Sequence, residues 1–369
     1  MKDAEQSNTI QKSQGGQRDN NFNLIRLIAT VFVFAGHMGM LLNGNPPLLG
    51  GFRLHELGVG ILFLMSGYLI TKSWMSDPNP LRYSIRRFFR LWPPFAVLIL
   101  IMVFVTGPML SDLGVQGYYQ SWYKAYLQNL RFFIVYAQPG VFTDLPVPNT
   151  TNGSLWTMPV EGALYVITPL LLTTLQVRRN PEKSFYPMAV LACAACGFDL
   201  YLRIFCTNAI VVLYGTNLIS AYHLIVFYII GILFTYDKVR KYLNIQVGCA
   251  ALFLLFIFQL SGEPLQQVLL YIILPYFIFS LAFAKEPVFC RLGRKVEPSY
   301  GIYLYGFFFQ QLVVYLQQKN GINLSYTQAF IFSGIPTLVA AVLSYYLVEM
   351  PAMRCSRFLI KKLRTKSEE

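Results

Sequence analysis

Residues 22–42 read FNLIRLIATVFVFAGHMGMLL, an apolar run long enough to cross a bilayer that nevertheless carries Arg26 and His37. At about 100° per helical residue, the eleven steps between them return to within about 20° of the starting direction, with a rise of about 16 Å. Both polar groups therefore line one stripe of one helix at two depths. An ionisable residue inside a span is costly unless it faces a cavity or a partner, so its first reading is functional. Arg26 lies close enough to a helix end to snorkel. His37 does not, and its near-neutral titration makes it a natural general base or proton relay.

The rest of the chain has the same character. Hydrophobic residues make up 55% of the 369 residues and charged ones only 13%, where a soluble protein carries about a quarter. Apolar runs with Pro, Gly and charged punctuation predict ten spans near 22–42, 54–73, 91–107, 155–176, 185–202, 217–236, 245–261, 265–284, 299–317 and 328–348, an all-α polytopic membrane protein. The net charge of +13 does not point to nucleic acid, because the basic residues sit between the apolar runs and not in one patch. The six cysteines are mostly in apolar context, and Cys193 and Cys196, which have redox or metal spacing but lie in an apolar run without a second ligand pair, read as buried packing. Residues 1–21 are too polar for a signal peptide, so the first helix is expected to be retained.

Loop charge orients the bundle. With ten spans, all but six of the 30 basic residues fall on the side of the two termini, the six being Arg26, Arg53, Lys124, Arg131, Arg203 and Lys319. Making the shorter run 122–137 an eleventh span would scatter them. The positive-inside rule thus predicts cytoplasmic termini, with 122–137 lying at or re-entering from the outer face. This divides the chain into a polar cytoplasmic tail (1–21), a membrane domain (22–350) and a basic cytoplasmic tail (351–369). Arg26 is then near the inner end of its helix and His37 near the outer end. Glu161, about six residues into the fourth span, matches His37 in depth. It can orient and charge-stabilise a histidine, or pair with an arginine to hold helices together.

Other polar groups have two readings each. Arg86, Arg87 and Arg90 can clamp phosphates, or simply supply positive-inside charge. Ser66, in the small-residue stretch GVGILFLMSGY, has no base adjacent in sequence and reads first as packing. His223, and Asp199 with Arg203 four residues on, can line an outward cleft, although helix-to-helix pairing is favoured. His55 reads as interfacial. Three N-x-S/T triplets matter only in a eukaryotic secretory pathway.

Six motifs occur in order: Arg26-x10-His37; GVGILFLMSGYLIT (58–71), like GVDLFFVLSGFLIT; Arg87-Phe-Phe-Arg90, like RxxR; SLWTMPVEGALY (154–165), like SLWSLSVExxFY; SYGIYLYG (299–306), like SYGIYLxH; and Val348-Glu-Met-Pro351, like a terminal E-x-P. Together the chain resembles the bacterial integral membrane acyltransferases of acyltransferase family 3, the O-antigen and exopolysaccharide O-acetylases. It departs at Gly60 for aspartate, Tyr68 for phenylalanine, Pro159 before the glutamate, and Gly306 where many relatives have histidine.

The resemblance implies an enzyme of the bacterial inner membrane that moves an acyl group, usually acetyl, from cytoplasmic acetyl-CoA to a carbohydrate or glycolipid hydroxyl at the outer face, without a metal. Carried over by motif, His37 and Arg26 would be catalytic, Glu161 an essential acidic partner, and Arg87 and Arg90, with Arg86, would face the coenzyme A phosphates. Ser66, Asp199, Arg203, His223 and Tyr300 are the candidate lining of a substrate cleft. Direct transfer and an acyl-enzyme both stay open. The rival class is a transporter or flippase of lipid-linked sugars using Arg26, His37 and Glu161 as a polar pathway, although no inverted repeat with Gly/Pro-broken helices is visible. A third reading is a catalytically silent binding partner.

Overall fold

The computed structural model describes residues 20–207, 209–258, 263–284 and 296–365. The chain is an all-α polytopic membrane protein, and among the described residues its only strands are two hairpins, Leu48–Leu49 with Phe52–Arg53 and Val212–Leu213 with Thr216–Asn217. The long helices are α1 (Phe22–Asn43), α2 (Leu54–Ser76), α3 (Pro80–Ile101), α4 (Thr157–Thr174), α5 (Pro181–Phe205), α6 (Leu218–Leu233), α7 (Ile245–Phe258), α8 (Glu263–Ala282), α9 (Ser299–Lys319), α10 (Tyr326–Ser344) and α11 (Met350–Thr365). Each of the ten expected spans coincides with one of α1 to α10. Seven helical stretches among the described residues are long and apolar enough to cross a membrane, and α6 and α7 are shorter apolar helices.

Local chemistry sets the ends. Asn79 caps α3 by accepting from the Arg82 amide, with Pro80 in the first turn, so this helix begins well before its expected start and takes Arg86, Arg87 and Arg90 into its first turns. A π-turn at Met102–Thr106 carries it on to Leu110. A capping box of Ser325 and Gln328 starts α10, which runs through a second π-turn at Tyr345–Glu349 into α11. The expected C-terminal tail is therefore helical as far as Thr365.

Small residues set the helix spacing. A Cβ added to Gly58 on α2 would meet the Ala29 carbonyl of α1 at 2.4 Å, and one on Gly67 would meet the Tyr228 carbonyl of α6 at 2.0 Å. In an apolar solvent such close backbone approach is what joins helices. Two departures in the 299–306 and 58–71 motifs have packing reasons. The Phe34 ring stands 2.9 Å from where a Cβ on Gly306 would be, and the Phe227 ring 3.2 Å from one on Gly60. Tyr68 stacks on Phe22 at 5.5 Å.

Residues 122–137 form no spanning helix. Tyr123–Arg131 is a nine-residue 3-10 helix, about 18 Å at 2 Å per residue. It folds back against α3: the Trp92 indole donates to the Leu130 carbonyl (3.1 Å) and Phe132 stacks on Phe95 at 5.6 Å. Immediately before α4 the chain dips into the bundle, with Thr151 and Asn152 fully buried. Of the pair read as buried packing, Cys193 is exposed, because its helical position faces away from the bundle, and Cys196 is half-buried; Cys249 and Cys355 are exposed free thiols as well, and Cys290 lies outside the described residues.

Candidate active site

Two cavities lie end to end along the polar stripe of α1. Around Arg26 is a narrow chamber of about 140 Å³, lined by Ser66 of α2, Arg87 and Arg90 of α3, Glu161 and Tyr165 of α4, and Glu297 and Tyr300 at the start of α9. Around His37 is a larger cavity of about 620 Å³, lined by His55, Glu56, Tyr136, Trp156, Arg203, His223 and Phe307. Val59 and Tyr303 line both, so a thin partition separates them. The Tyr303 hydroxyl is fixed by Thr157 at 2.6 Å and donates to the Ser154 carbonyl at 3.2 Å.

The Arg26 chamber is a charge network. Arg26 bridges Glu297 at 2.6 Å, Arg90 reaches the other oxygen of Glu297 at 3.1 Å, and Arg90 also lies 3.6 Å from the fully buried Glu349. Against the upward push of burial, Arg26 and Arg90 hold the Glu297 carboxyl down at about 2. Arg87 differs from its neighbours. It sits between the rings of Tyr83 and Tyr165, at 5.7 and 5.8 Å, and donates to Ser73 Oγ at 3.1 Å. Its buried Nε has no hydrogen-bond partner among the described residues. A planar guanidinium with an unused buried donor suits an anion such as phosphate.

Arg86 is elsewhere. Together with Arg82 it bridges Asp77, at 2.7 and 2.6 Å, and the Arg82 hydrogen bonds hold the Asp77 carboxyl well below the usual carboxylate range. Successive residues of a helix point 100° apart, which is why Arg86 and Arg87 serve different places. Ser66 and Tyr300 line the Arg26 chamber, with the Tyr300 hydroxyl donating to the Leu91 carbonyl at 2.7 Å, whereas Asp199, Arg203 and His223 belong to the other end.

Glu161 is not beside His37. Its carboxylate accepts from Tyr165 at 2.5 Å and it lines the chamber of Arg26, Arg87 and Arg90, whereas His37 lines the other cavity. The depth match fails because α4 does not begin at a membrane surface. Just before α4, the Asn152 amide donates to the Leu304 carbonyl, only five residues, or about 7.5 Å, into α9. His37 instead faces the ring of His55 at 5.5 Å and the edge of Phe307 at 5.2 Å. His55 is thus not merely interfacial. The ten-residue turn after α1 returns α2 directly onto it, so that a Cβ on Gly36 would lie 2.5 Å from the His55 nitrogen.

Three charged or aromatic residues of this site escaped the sequence reading. Glu297 is the acid just before SYGIYLYG, at the level where Arg26 begins its helix. Glu349 stood in a recognised motif without a role. Tyr165 is one turn after Glu161, the i, i+4 spacing that makes their contact.

A helical bundle with a polar stripe facing two adjacent cavities defines a polytopic membrane protein with internal room for ligands. A family model described as an acyltransferase domain matches residues 19–346, and the chain belongs to that family. It is similar to an O-acetyl transferase of Shigella phage Sf6, 22% identical over 90% of this chain and 95% of the relative. It is also similar to nodulation protein 10 of Rhizobium leguminosarum bv. viciae, 26% identical over 93% and 95%. The peptidoglycan O-acetyltransferase OatA of Listeria monocytogenes is 27% identical over 43% of this chain and 25% of its own length. No solved structure matches at a significant level. The chain is thus a multi-pass membrane acyltransferase, of a kind whose relatives are named for O-acetyl transfer.

Proposed function

We propose that the protein transfers an acyl group, most simply acetyl, from acyl-CoA in the cytoplasm to a hydroxyl of a cell-surface carbohydrate or glycolipid at the outer side of a bacterial inner membrane. The observation that carries this reading is the pair of cavities on one helical stripe, parted only by Val59 and Tyr303. With the termini cytoplasmic, as loop charge predicts, Arg26 is at the donor end and His37 at the acceptor end. The narrow chamber suits a thin thioester arm; the wide aromatic cavity suits a sugar ring.

In this reading Arg87, with its free buried donor, binds a donor phosphate, and Arg90, fixed by Glu297 and Glu349, shapes the chamber wall. His37 takes the proton from the acceptor hydroxyl as its oxygen attacks the thioester carbonyl. The C–O bond forms, the C–S bond breaks, and the thiolate leaves toward Arg26, whose charge stabilises it. Glu161 supports the arginines and not the imidazolium.

The deciding experiment incubates purified protein with radiolabelled acetyl-CoA and candidate glycans. Label in the glycan supports the reading, and its absence across O-antigen, exopolysaccharide and peptidoglycan acceptors removes it. A reporter fused at Asn320 checks the sidedness, since a cytoplasmic score would reverse donor and acceptor ends.

A further inference from the structure

Among the described residues no carboxylate is bonded to His37, but another histidine of its cavity has such a partner. His223 of α6 lines the same cavity, and its Nδ1 contacts Asp199 of α5, a residue with no exposed surface. Asp199 also accepts from Arg203 Nε at 2.7 Å and from the Tyr271 hydroxyl of α8. A carboxylate can only accept, so the His223 nitrogen against it carries the hydrogen. In the neutral ring Nε2 is then left with a lone pair, the tautomer control that an acid exerts in hydrolase triads. Arg203 gives Nε to Asp199, and its guanidinium, which also meets the Tyr271 hydroxyl, stays a third exposed.

His223 and Arg203 stay a quarter and a third exposed, and both face two spaces. One is the His37 cavity. The other is a neighbouring cavity of about 460 Å³, lined by Arg53, Gln266 and Gln267, which shares Glu56, Arg203, His223 and Phe227 with the first. An acid buried in a membrane bundle is a costly way merely to hold helices together. Here it fixes an acceptor nitrogen and a fork of donors side by side at the passage between two rooms. Vicinal sugar hydroxyls, each both donor and acceptor, are complementary to that pair, and Trp156 and Phe227 supply apolar faces for the ring.

We propose that His223 and Arg203 form a carbohydrate subsite at this passage, with Asp199 as the positioning residue. Given the acyl-transfer reading, on which the ligand's identity as acceptor rests, the acceptor is an oligosaccharide whose reacting unit sits at His37 and whose next unit passes His223 into the second cavity.

The test uses full-length protein in nanodiscs, with methyl glycosides of glucose, rhamnose and N-acetylglucosamine and their trisaccharides as probes. Binding is followed by the fluorescence of Trp156, which lines the cavity, and needs no acyl transfer. Trisaccharides are expected to bind at least tenfold more tightly than monosaccharides. His223→Gln and Asp199→Asn should each weaken the trisaccharide at least tenfold, and the double variant little more, because the two act as one unit. Tyr271→Phe, which leaves the His223–Asp199 contact, should cost less than threefold and reports on folding. In the transfer assay the loss should appear in the acceptor KM with the acetyl-CoA KM unmoved. Unchanged trisaccharide binding in His223→Gln, loss confined to kcat, or no saturable binding of any probe to the wild type overturns the subsite. Glycoside binding without label transfer would keep the subsite and remove the acyltransferase reading.

Discussion

The two ends of the α1 stripe solve the problem of polar groups in a membrane in opposite ways. At the Arg26 end the charges are matched to one another: two arginines share Glu297, one of them also faces Glu349, and the remaining space is small. At the His37 end the space is more than four times larger, its walls mix aromatic, aliphatic and polar side chains, and the central histidine is bounded by the rings of His55 and Phe307. A closed ion network is rigid and holds a fixed shape, whereas an open cavity lined by rings and a few polar tips accepts a guest. The fixed end therefore suits an invariant ligand, and the open end a variable one.

The largest effect that tests this contrast is at His37. His37→Ala should cut acyl transfer by about 10²–10⁴-fold while the protein still melts as one unit, since general base catalysis is worth about that much. Near-normal turnover would move the chemistry away from the open end. At the closed end the effect should instead be on stability. Glu297→Ala leaves Arg26 and part of Arg90 without their shared acid, at a cost of about 3–5 kcal/mol, seen as a lowered melting temperature. A variant that melts like the wild type would show that the network is not what holds this end.

Arg87 and Arg86 sharpen the comparison within one helix. Arg87→Ala should raise the acetyl-CoA KM by about tenfold or more, the worth of one charge-assisted hydrogen bond, with acceptor KM unchanged. Arg86→Ala should leave both constants alone, because its terminal nitrogens are held by Asp77 and it does not line the chamber. Equal effects of the two would restore a continuous phosphate clamp. The smallest effect concerns Glu161. In melting experiments, Glu161→Gln combined with Arg87→Ala should show a coupling of about 0.5–3 kcal/mol, whereas Glu161→Gln with His37→Ala should be additive to within about 0.5 kcal/mol. Coupling to His37 instead would return Glu161 to the acceptor end.

Much of this was legible in the residues themselves. The apolar runs predict helices where helices form, since a backbone in lipid must satisfy its hydrogen bonds within each segment and so leaves few alternatives. The stripe of Arg26 and His37 follows from helical geometry alone. The error over Glu161 came from counting depth from the end of an apolar run, which assumes that every helix starts at a membrane surface. Asn152, buried against α9 in mid-bundle, breaks that assumption. Likewise nothing local distinguishes Arg86 from Arg87 as a ligand, because the difference lies in which neighbouring helix each meets.

By itself the sequence determined the class of the protein, the helices and the periodicity of their polar faces, because these depend on hydropathy and on contacts within a few residues. Only the tertiary structure decided the company each charge keeps across helices: Glu297 with Arg26 and Arg90, Glu349 with Arg90, Asp199 with His223. Those pairings join residues that can be hundreds of positions apart, and they are chosen by how α4 and α9 are sunk against their neighbours, a matter of packing that no single helix encodes.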